Sequence, residues 1–396
     1  MSYMKEYIDK RLSIEGLVKE LYGLISQYNK LRNSFLFIYC SAINKNIPYT
    51  ALEQDDFYMF RDILHTIKGN NKNIDIYIET PGGSGEAAEE IVKYLHNNFE
   101  SVNFLVSGEA KSAGTIMVLS GDEIMMTETG SLGPIDAQVV VGRYRQSAYD
   151  YIEWVNDVRE KCAQGVPLNP FDARIISQIT PGEINGIFHS LKFAEDLVTK
   201  WLVEYKFKNW DITETNKKNV TSSDRLRRAQ EVANELTNHS KWRSHGRSLK
   251  IKDMDQIGVK IKNIDEDNAL SDIVYRIQTI CRLIFEMSNF YKLYIADGIL
   301  LNKSAVPVNN IQQRSIMNKN DTDPIQINQS CQKCNESHSF YAKFISDKNI
   351  DDSLKQMGLI PFPQDNNFTC KKCGFIIDLS AIRNDIELKK GKKIIS

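Results

Sequence analysis

The residues best suited to chemistry lie in two turns, each of which follows a predicted strand and precedes a predicted helix. The first turn is Thr80 to Gly85 (TPGGSG), and the second is Gly108 to Thr115 (GEAKSAGT). Consecutive glycines, Gly82 and Gly83, allow a tight turn whose backbone amides can approach an anion closely. A serine at such a turn, here Ser112, is exposed at the positive end of a helix dipole, which suits a nucleophile.

Neither turn is specific by itself. A Pro-Gly-Gly turn usually only redirects the chain, and a serine before a helix is usually an ordinary N-cap. Together they indicate more, because successive βαβ units bring both turns to the carboxyl edge of one sheet. The amides of Gly83 and Ala113 could then converge on the oxyanion that forms when Ser112 attacks a carbonyl. The loop from Gly130 to Asp136 is expected to form another wall of this crevice.

The serine needs a general base that accepts its proton. His245 is a candidate, because an imidazole titrates near neutral pH without further help. His189 and His239 lie in helical patterns that explain them as packing or surface residues. Lys111 is adjacent to the serine and is expected to be a solvated charge that points away from it.

Four cysteines near the C-terminus form a second chemical pattern. They make two C-x-x-C knuckles, Cys331 with Cys334 and Cys370 with Cys373, and four thiolates so spaced can close a tetrahedral Zn²⁺ site. Four sulfur ligands leave no open position, so the zinc is expected to be structural rather than catalytic. His338 would replace a cysteine only in an unusual pairing. We expect this zinc ribbon to dock or recruit a partner, either a protein or a nucleic acid.

An α/β domain with a mostly parallel sheet must position the two turns. The predicted strands are short β-rich runs, at 34–40, 74–79, 102–106 and 123–127. Helical patterns over 84–99 and 112–120 separate them, which predicts βαβ units. An amphipathic helix is predicted over 4–30. Helices predominate from 148 to 300, apart from a polar hairpin-like insert around 238–262.

Length and composition limit the class of protein. The chain has 396 residues, 42% hydrophobic, with a formal net charge of −1. It can bury a core, which excludes a disordered chain, and it has no global basic field to attract nucleic acid. The N-terminus lacks a signal-peptide core, and no window reaches the roughly 18 apolar residues of a membrane span. A cytoplasmic protein without membrane contact is expected.

Four segments are predicted along the chain. They are an N-terminal helix (1–33), a hydrolase domain with a helical extension (34–300), a polar linker (301–330) and the zinc-ribbon module (331–396).

The runs TPGGSGEAAEEI, KSAGTIMVLSGDEIMM and GSLGPIDAQ resemble the Clp-protease and signal-peptide-peptidase superfamily, and are most similar to the serine dehydrogenase proteinase family. The resemblance covers about 34–300 and implies the spiral αβ fold shared with crotonases. It matches Ser112 to the nucleophile, and Gly83 and Ala113 to the oxyanion donors. The segment 244–247 (SHGR) also resembles a motif of that proteinase family. Relatives assemble into rings or other multimers, which implies a homo-oligomer.

The resemblance does not identify the general base. In the Clp-protease pattern a histidine follows the nucleophile by about one βα unit, and this sequence has none there. Signal-peptide peptidases use a lysine instead, and a lysine acts as a base only where burial or a neighbouring cation lowers its pKa. The resemblance implies Lys161, at a roughly comparable distance along the chain, as the second candidate after His245.

The sequence therefore predicts a serine endopeptidase acting on peptide or protein substrates. One alternative is an inactive hydrolase-fold scaffold whose zinc ribbon binds a partner, which the missing histidine favours. Another is a crotonase-like acyl-CoA enzyme, because that fold is shared.

Overall fold

A computed structural model describes residues 2–45, 47–67, 72–135, 138–141, 144–213, 216–244, 246–305, 324–344, 348–390 and 393–395. The chain divides into two compact units. The first unit is Met1–Ala305 and the second unit is Val306–Ser396.

The first unit alternates strands and helices over its N-terminal part and is mainly helical afterwards. Its strands are β1 (Phe35–Ser41), β2 (Asn73–Glu79), β3 (Ser101–Val106), β4 (Glu109–Ala110), β5 (Ile124–Met126), β6 (Ser131–Leu132), β7 (Gln138–Val141), β8 (Tyr144–Ser147), β9 (Lys262–Asn263), β10 (Phe290–Ala296) and β11 (Ile299–Ser304). Its helices are α1 (Tyr3–Lys10), α2 (Ile14–Arg32), α3 (Gln54–Leu64), α4 (Gly85–Asn98), α5 (Ala113–Leu119), α6 (Ala148–Ala163), α7 (Pro170–Ile176), α8 (Pro181–Trp201), α9 (Ser222–Thr237), α10 (His239–Trp242), α11 (Ile251–Ile257) and α12 (Asn268–Met287).

One sheet organises this unit, with the strand order β11-β10-β1-β2-β3-β5-β9 among the described residues. The strands β1, β2, β3, β5 and β9 are parallel, and β10 and β11 add an antiparallel edge. Helices α3, α4 and α5 connect the successive parallel strands β1, β2, β3 and β5. The predicted α/β class and βαβ units are therefore confirmed.

Both faces of the sheet are covered because successive side chains of a strand point to opposite sides. In β1, Phe37 and Tyr39 belong to a core shared with α3, α4, α5, α8 and α9. Leu36 and Ile38 belong to a second core, shared with α1, α2 and α12. The continuous apolar run of β1 thus reflects burial on both faces.

Three segments differ from their predicted form. The N-terminal helix is two helices, because Arg11 ends α1 in a left-handed conformation and Ser13 caps α2. The insert around 238–262 holds α10 and α11 instead of a hairpin. Met254 and Ile257 of α11 are buried in the core that α3, α4, α5, α8 and α9 share. Both ends of the predicted linker 301–330 are strand, while 306–323 lie outside the described residues.

The second unit is a small β-rich fold with its own core. Its elements are β12 (Ile325–Ser330), β13 (Ser337–Ala342), α13 (Lys348–Gln356), β14 (Ile360–Pro361), β15 (Asn367–Thr369), β16 (Ile376–Asp378) and α14 (Ser380–Lys390). Phe340, Phe362 and Leu379 are buried together with Cys331 and Cys370. In the described ranges of the whole chain, no helix has both the length and the apolar composition needed to cross a bilayer.

Candidate active site

Backbone hydrogen bonds join the two chemically interesting turns. The Thr80 amide donates to the Glu109 carbonyl at 2.7 Å, and the Lys111 amide donates to the Thr80 carbonyl at 3.1 Å. Gly114 makes this contact possible, because a Cβ atom there would lie 2.5 Å from the Thr80 methyl group. The structure therefore brings the Gly82-Gly83 turn and the Ser112 turn side by side, as the sheet-edge argument requires.

Ser112 has a strained backbone conformation. Its φ is 49° and its ψ is −118°, and its side chain makes no capping hydrogen bond to α5. The ordinary N-cap interpretation of this serine is therefore wrong. A positive φ at a residue with a Cβ costs about 1–3 kcal/mol and persists only where the surroundings impose it. Such a strained strand-to-helix turn is the geometry that exposes a nucleophilic hydroxyl.

The two glycines have different reasons to lack a side chain. At Gly82, with a φ of 92°, a Cβ atom would lie 2.6 Å from both the Lys111 carbonyl oxygen and the Ser112 Cβ. At Gly83 it would collide with the Leu52 backbone. Gly82 thus allows close approach to the serine turn, while Gly83 allows close approach to a segment that sequence reasoning did not single out.

The amides of Gly83 and Ala113 have no hydrogen-bond acceptor among the described residues. The Leu52 amide donates to the Gly82 carbonyl at 2.7 Å, and the Ser84 amide donates to the Leu52 carbonyl at 2.9 Å. Along such a paired segment consecutive amides point to opposite sides, so the Gly83 amide points away from Leu52. Within the described part of the chain, neither the Gly83 amide nor the Ala113 amide donates a hydrogen bond.

A cleft of 1040 Å³ contains Ser112, Gly83 and Ala113 in its lining. The N-terminal part of α5 and the α8 residues His189 and Phe193 complete its walls. This volume lies just above the range of about 300–1,000 Å³ that is usual for ligand pockets. His189 therefore lies in the serine's own cleft, although the helical pattern around it predicts only packing or surface.

The two base candidates have different positions. Lys161 is half-exposed on α6, bonds Asp157 at 2.5 Å and is absent from the described cleft lining. The hydrogen bond that Lys161 donates to the Asp157 carboxylate raises the pKa of Lys161, which is the opposite of what a general base requires. His245 lies outside the described residues. Its neighbour Arg247 is described, and the Arg247 carbonyl lies 3.2 Å from the Lys111 Nζ.

Lys111 is buried, with only 5% of its surface exposed. The expectation of a solvated charge is therefore wrong. Burial lowers the pKa of its ammonium group. Sequence reasoning could not find this, because a lysine next to a serine carries no signal of what later segments pack over it.

The four knuckle cysteines lie together in the second unit, with all four Sγ atoms within 4.8 Å of one another. The Cys331 and Cys373 sulfurs are 3.6 Å apart, and those of Cys334 and Cys370 are 3.7 Å apart. A zinc tetrahedron with Zn–S bonds of about 2.3 Å has sulfur–sulfur edges of about 3.8 Å. The cluster therefore fits a four-coordinate metal ion.

The two knuckles have the same backbone geometry. The Cys331 amide donates to Glu336 and the Cys370 amide donates to Phe375, each at 2.8 Å. Asn335 and Gly374 take equivalent places with φ of 61° and 70°, so the turn predicted at Gly374 has an asparagine counterpart. His338 donates or accepts a hydrogen bond at the Cys370 sulfur, 3.2 Å away. The group of side chains that could hold an ion consists of the four cysteines and does not include His338.

Residues 48–156 match the family described as ClpP-like SDH-type serine proteinase. This segment contains both turns and the strained serine, so the resemblance to the serine dehydrogenase proteinase family is confirmed there. Two uncharacterized proteins of Methanocaldococcus jannaschii are also similar, at 39% identity over 85 residues and 35% over 71. These matches cover 21% and 18% of this chain, and 29% and 24% of those proteins. The chain thus spans less than a third of the length of these relatives.

Two solved structures of a membrane-bound stomatin-specific protease are among the similar folds. A mutant form has 14% identity and a TM-score of 0.33, covering 56% of this chain and 79% of that chain. A second mutant form, in complex with a substrate peptide, has 15% identity and a TM-score of 0.32, covering 56% and 74%.

Proposed function

We propose that this chain is a serine endopeptidase whose nucleophile is Ser112. The observation that carries the proposal is the strained turn of Ser112, which lies beside Gly82 in the lining of the 1040 Å³ cleft. The Ser112 Oγ would form a bond to the scissile carbonyl carbon while a base takes its proton. The C–N bond would then break, the amine would leave with that proton, and water would release the acyl group.

The oxyanion of each tetrahedral intermediate would be held by the amides of Gly83 and Ala113. Both N–H groups lack an acceptor in the described residues, so neither must break a bond to receive the charge. Fixed donors of this kind stabilise the transition state because they need no reorganisation as the charge develops.

We propose His245 as the general base, ahead of Lys161. Arg247 lies two residues further along the chain and contacts the Lys111 ammonium through its carbonyl. This contact supports the proposal because Lys111 is adjacent to Ser112 in the chain. Lys161 has an acidic partner that opposes its deprotonation. His189, which lines the cleft, is a third candidate.

For the second unit we propose one structural Zn²⁺ bound by Cys331, Cys334, Cys370 and Cys373. Bound zinc would link the two knuckles and stabilise their turns. Docking of a protein or nucleic-acid partner by this ribbon, assembly into a homo-oligomer and a cytoplasmic location stay predictions.

A fluorophosphonate probe tests the nucleophile, because it reacts covalently with an activated serine. We expect wild-type protein to be labelled at Ser112, as read by peptide mass spectrometry, and Ser112→Ala to be unlabelled. Ser190→Ala is the matched control, since Ser190 lines the same cleft and loses only a hydrogen bond to the Gly186 carbonyl. An unlabelled wild-type protein would favour the inactive scaffold instead.

A further inference from the structure

The ammonium of Lys111 is buried among oxygen atoms from two other segments of the first unit. It lies 3.2 Å from the Ser131 Oγ and 3.0 Å from the Leu132 carbonyl in one segment. In the other it lies 3.2 Å from the Arg247 carbonyl and 3.0 Å from the Ser248 Oγ. Four neutral oxygens therefore share three N–H donors.

This cation has no carboxylate within ion-pair distance among the described residues. Burying an ammonium group without an opposite charge is costly, and here the cost is offset only by hydrogen bonds to neutral oxygens. A neutral side chain such as methionine would fill the same space without that cost. What the ammonium provides, and methionine would not, is a set of hydrogen bonds between the nucleophile turn and Arg247 and Ser248.

The backbone around Lys111 is built to admit this link. A Cβ atom at Gly133 would lie 2.9 Å from the Lys111 Cδ, so a larger residue there would force the lysine stem to shift. Leu132 and Leu249 exchange two backbone hydrogen bonds, at 3.0 and 2.9 Å. Lys250 then donates to three carbonyls in the stretch 128–130. Lys111 and Lys250 thus connect the segment 247–250 to the serine turn and to the stretch 128–132 beside it.

Lys111 does not itself reach the serine hydroxyl by a hydrogen bond in the described structure. As an ammonium group it donates to the oxygens named above, and in that charged form its nitrogen has no lone pair to accept a proton from Ser112. Its part in the chemistry must therefore act through the segment that it holds.

We propose that Lys111 is a positioning residue that fixes the segment 246–249 against the turn carrying Ser112. Its ammonium sets the distance between the nucleophile turn and the backbone of Arg247 and Ser248. This inference rests on the proposed serine hydrolase function. It predicts that loss of the charge lowers the reactivity of Ser112 without removing the cleft.

The main test is Lys111→Met, which keeps the length of the side chain and removes the charge. We expect the rate of fluorophosphonate labelling to fall at least tenfold and kcat on a peptide substrate to fall with it, while KM changes less than threefold. Hydrogen exchange should be at least tenfold faster at the Leu249 amide, which is bonded to Leu132. Exchange in β1 and β2 should stay unchanged.

Lys45→Met is the matched control, because Lys45 also donates to two backbone carbonyls, those of Ser288 and Phe290, away from the cleft. We expect it to be labelled at the wild-type rate. Lys111→Arg keeps the charge and should recover part of the labelling rate. Wild-type labelling of Lys111→Met, or faster exchange spread over the whole unit, would overturn the positioning role.

Ser248→Ala provides a milder variant that removes one acceptor of the lysine. We expect Ser248→Ala to slow labelling two- to fivefold in the wild-type background. Added to Lys111→Met, the same substitution should change the rate much less, because the hydrogen-bond donor is already absent. If Lys111→Met fails to fold, Ser248→Ala decides, and an unchanged rate counts against the proposal. Failure of wild-type protein to react at all would instead refute the proposed function, and the positioning role with it.

Discussion

The serine turn and the cysteine cluster place their reactive atoms in different ways. Distant segments surround Ser112, because Thr80 and Leu132 both pair with Ala110 just before it, and Leu249 pairs in turn with Leu132. Each cysteine knuckle is closed by hydrogen bonds within six residues, at Cys331 and at Cys370. The serine site thus depends on segments far apart in the first unit, whereas the cysteine cluster depends on two local turns and would gain further stability from a metal ion between them.

The largest effect should follow from removing the metal. Cys370→Ser, or a strong chelator, should unfold the second unit, since a structural zinc contributes about 10–16 kcal/mol to so small a fold. The first unit has its own cores and should keep its circular dichroism and its labelling at Ser112. Metal analysis should give one zinc per chain. A chain without bound metal, or a chelator that also abolishes labelling, would break the contrast between the two sites.

Gly83→Ala should strongly lower the reactivity of Ser112. The added methyl group collides with the Leu52 backbone and moves the amide that is proposed to hold the oxyanion. Loss of one such donor costs about 10²–10³ in kcat. Gly186→Ala is the matched control, because Gly186 lies on α8 with open space around it. Equal labelling of both variants would remove Gly83 from the oxyanion site.

Three variants separate the base candidates. His245→Ala should lower kcat by about 10²–10⁴, whereas Lys161→Ala should have little effect because Lys161 is half-exposed and paired with Asp157. His189→Ala tests the histidine that lines the cleft. A histidine base also gives activity that rises near pH 6.5, and a lysine base a rise at higher pH. If only His189→Ala lowers kcat, His189 on α8 is the general base and His245 is not.

The smallest expected effect is the stability difference between Ser112→Gly and Ser112→Ala. Both variants lack the hydroxyl, so neither should be labelled. Glycine relieves the positive φ that serine and alanine both suffer at this position, so Ser112→Gly should be more stable than Ser112→Ala by about 1 kcal/mol. Thermal unfolding of the two variants, with a difference of about 2 °C, measures this strain directly. A glycine variant less stable than the alanine variant would mean that the turn stores no strain.

Most of the sheet could be predicted from local pattern. The strands at 34–40, 74–79, 102–106 and 123–127 are each found within two residues of their predicted ends, because short β-rich runs bounded by helical periodicity leave few alternatives. The division of the predicted helix 4–30 into α1 and α2 could not be predicted from its periodicity. It depends on the left-handed conformation of Arg11 and on the N-cap at Ser13. The insert 238–262 has too few apolar residues for its periodicity to distinguish short helices from a hairpin.

The sequence by itself determined the chemical types and their order along the chain, which are the paired glycines, the serine before a helix and the two cysteine knuckles. Their local bends follow from residue chemistry, as at Gly374, where glycine tolerates a positive φ. Only the tertiary structure decided that Leu52 pairs with Gly83, that Lys111 is buried and that His189 lines the cleft. The physical reason is that these contacts join segments far apart in the chain, so no local pattern encodes them.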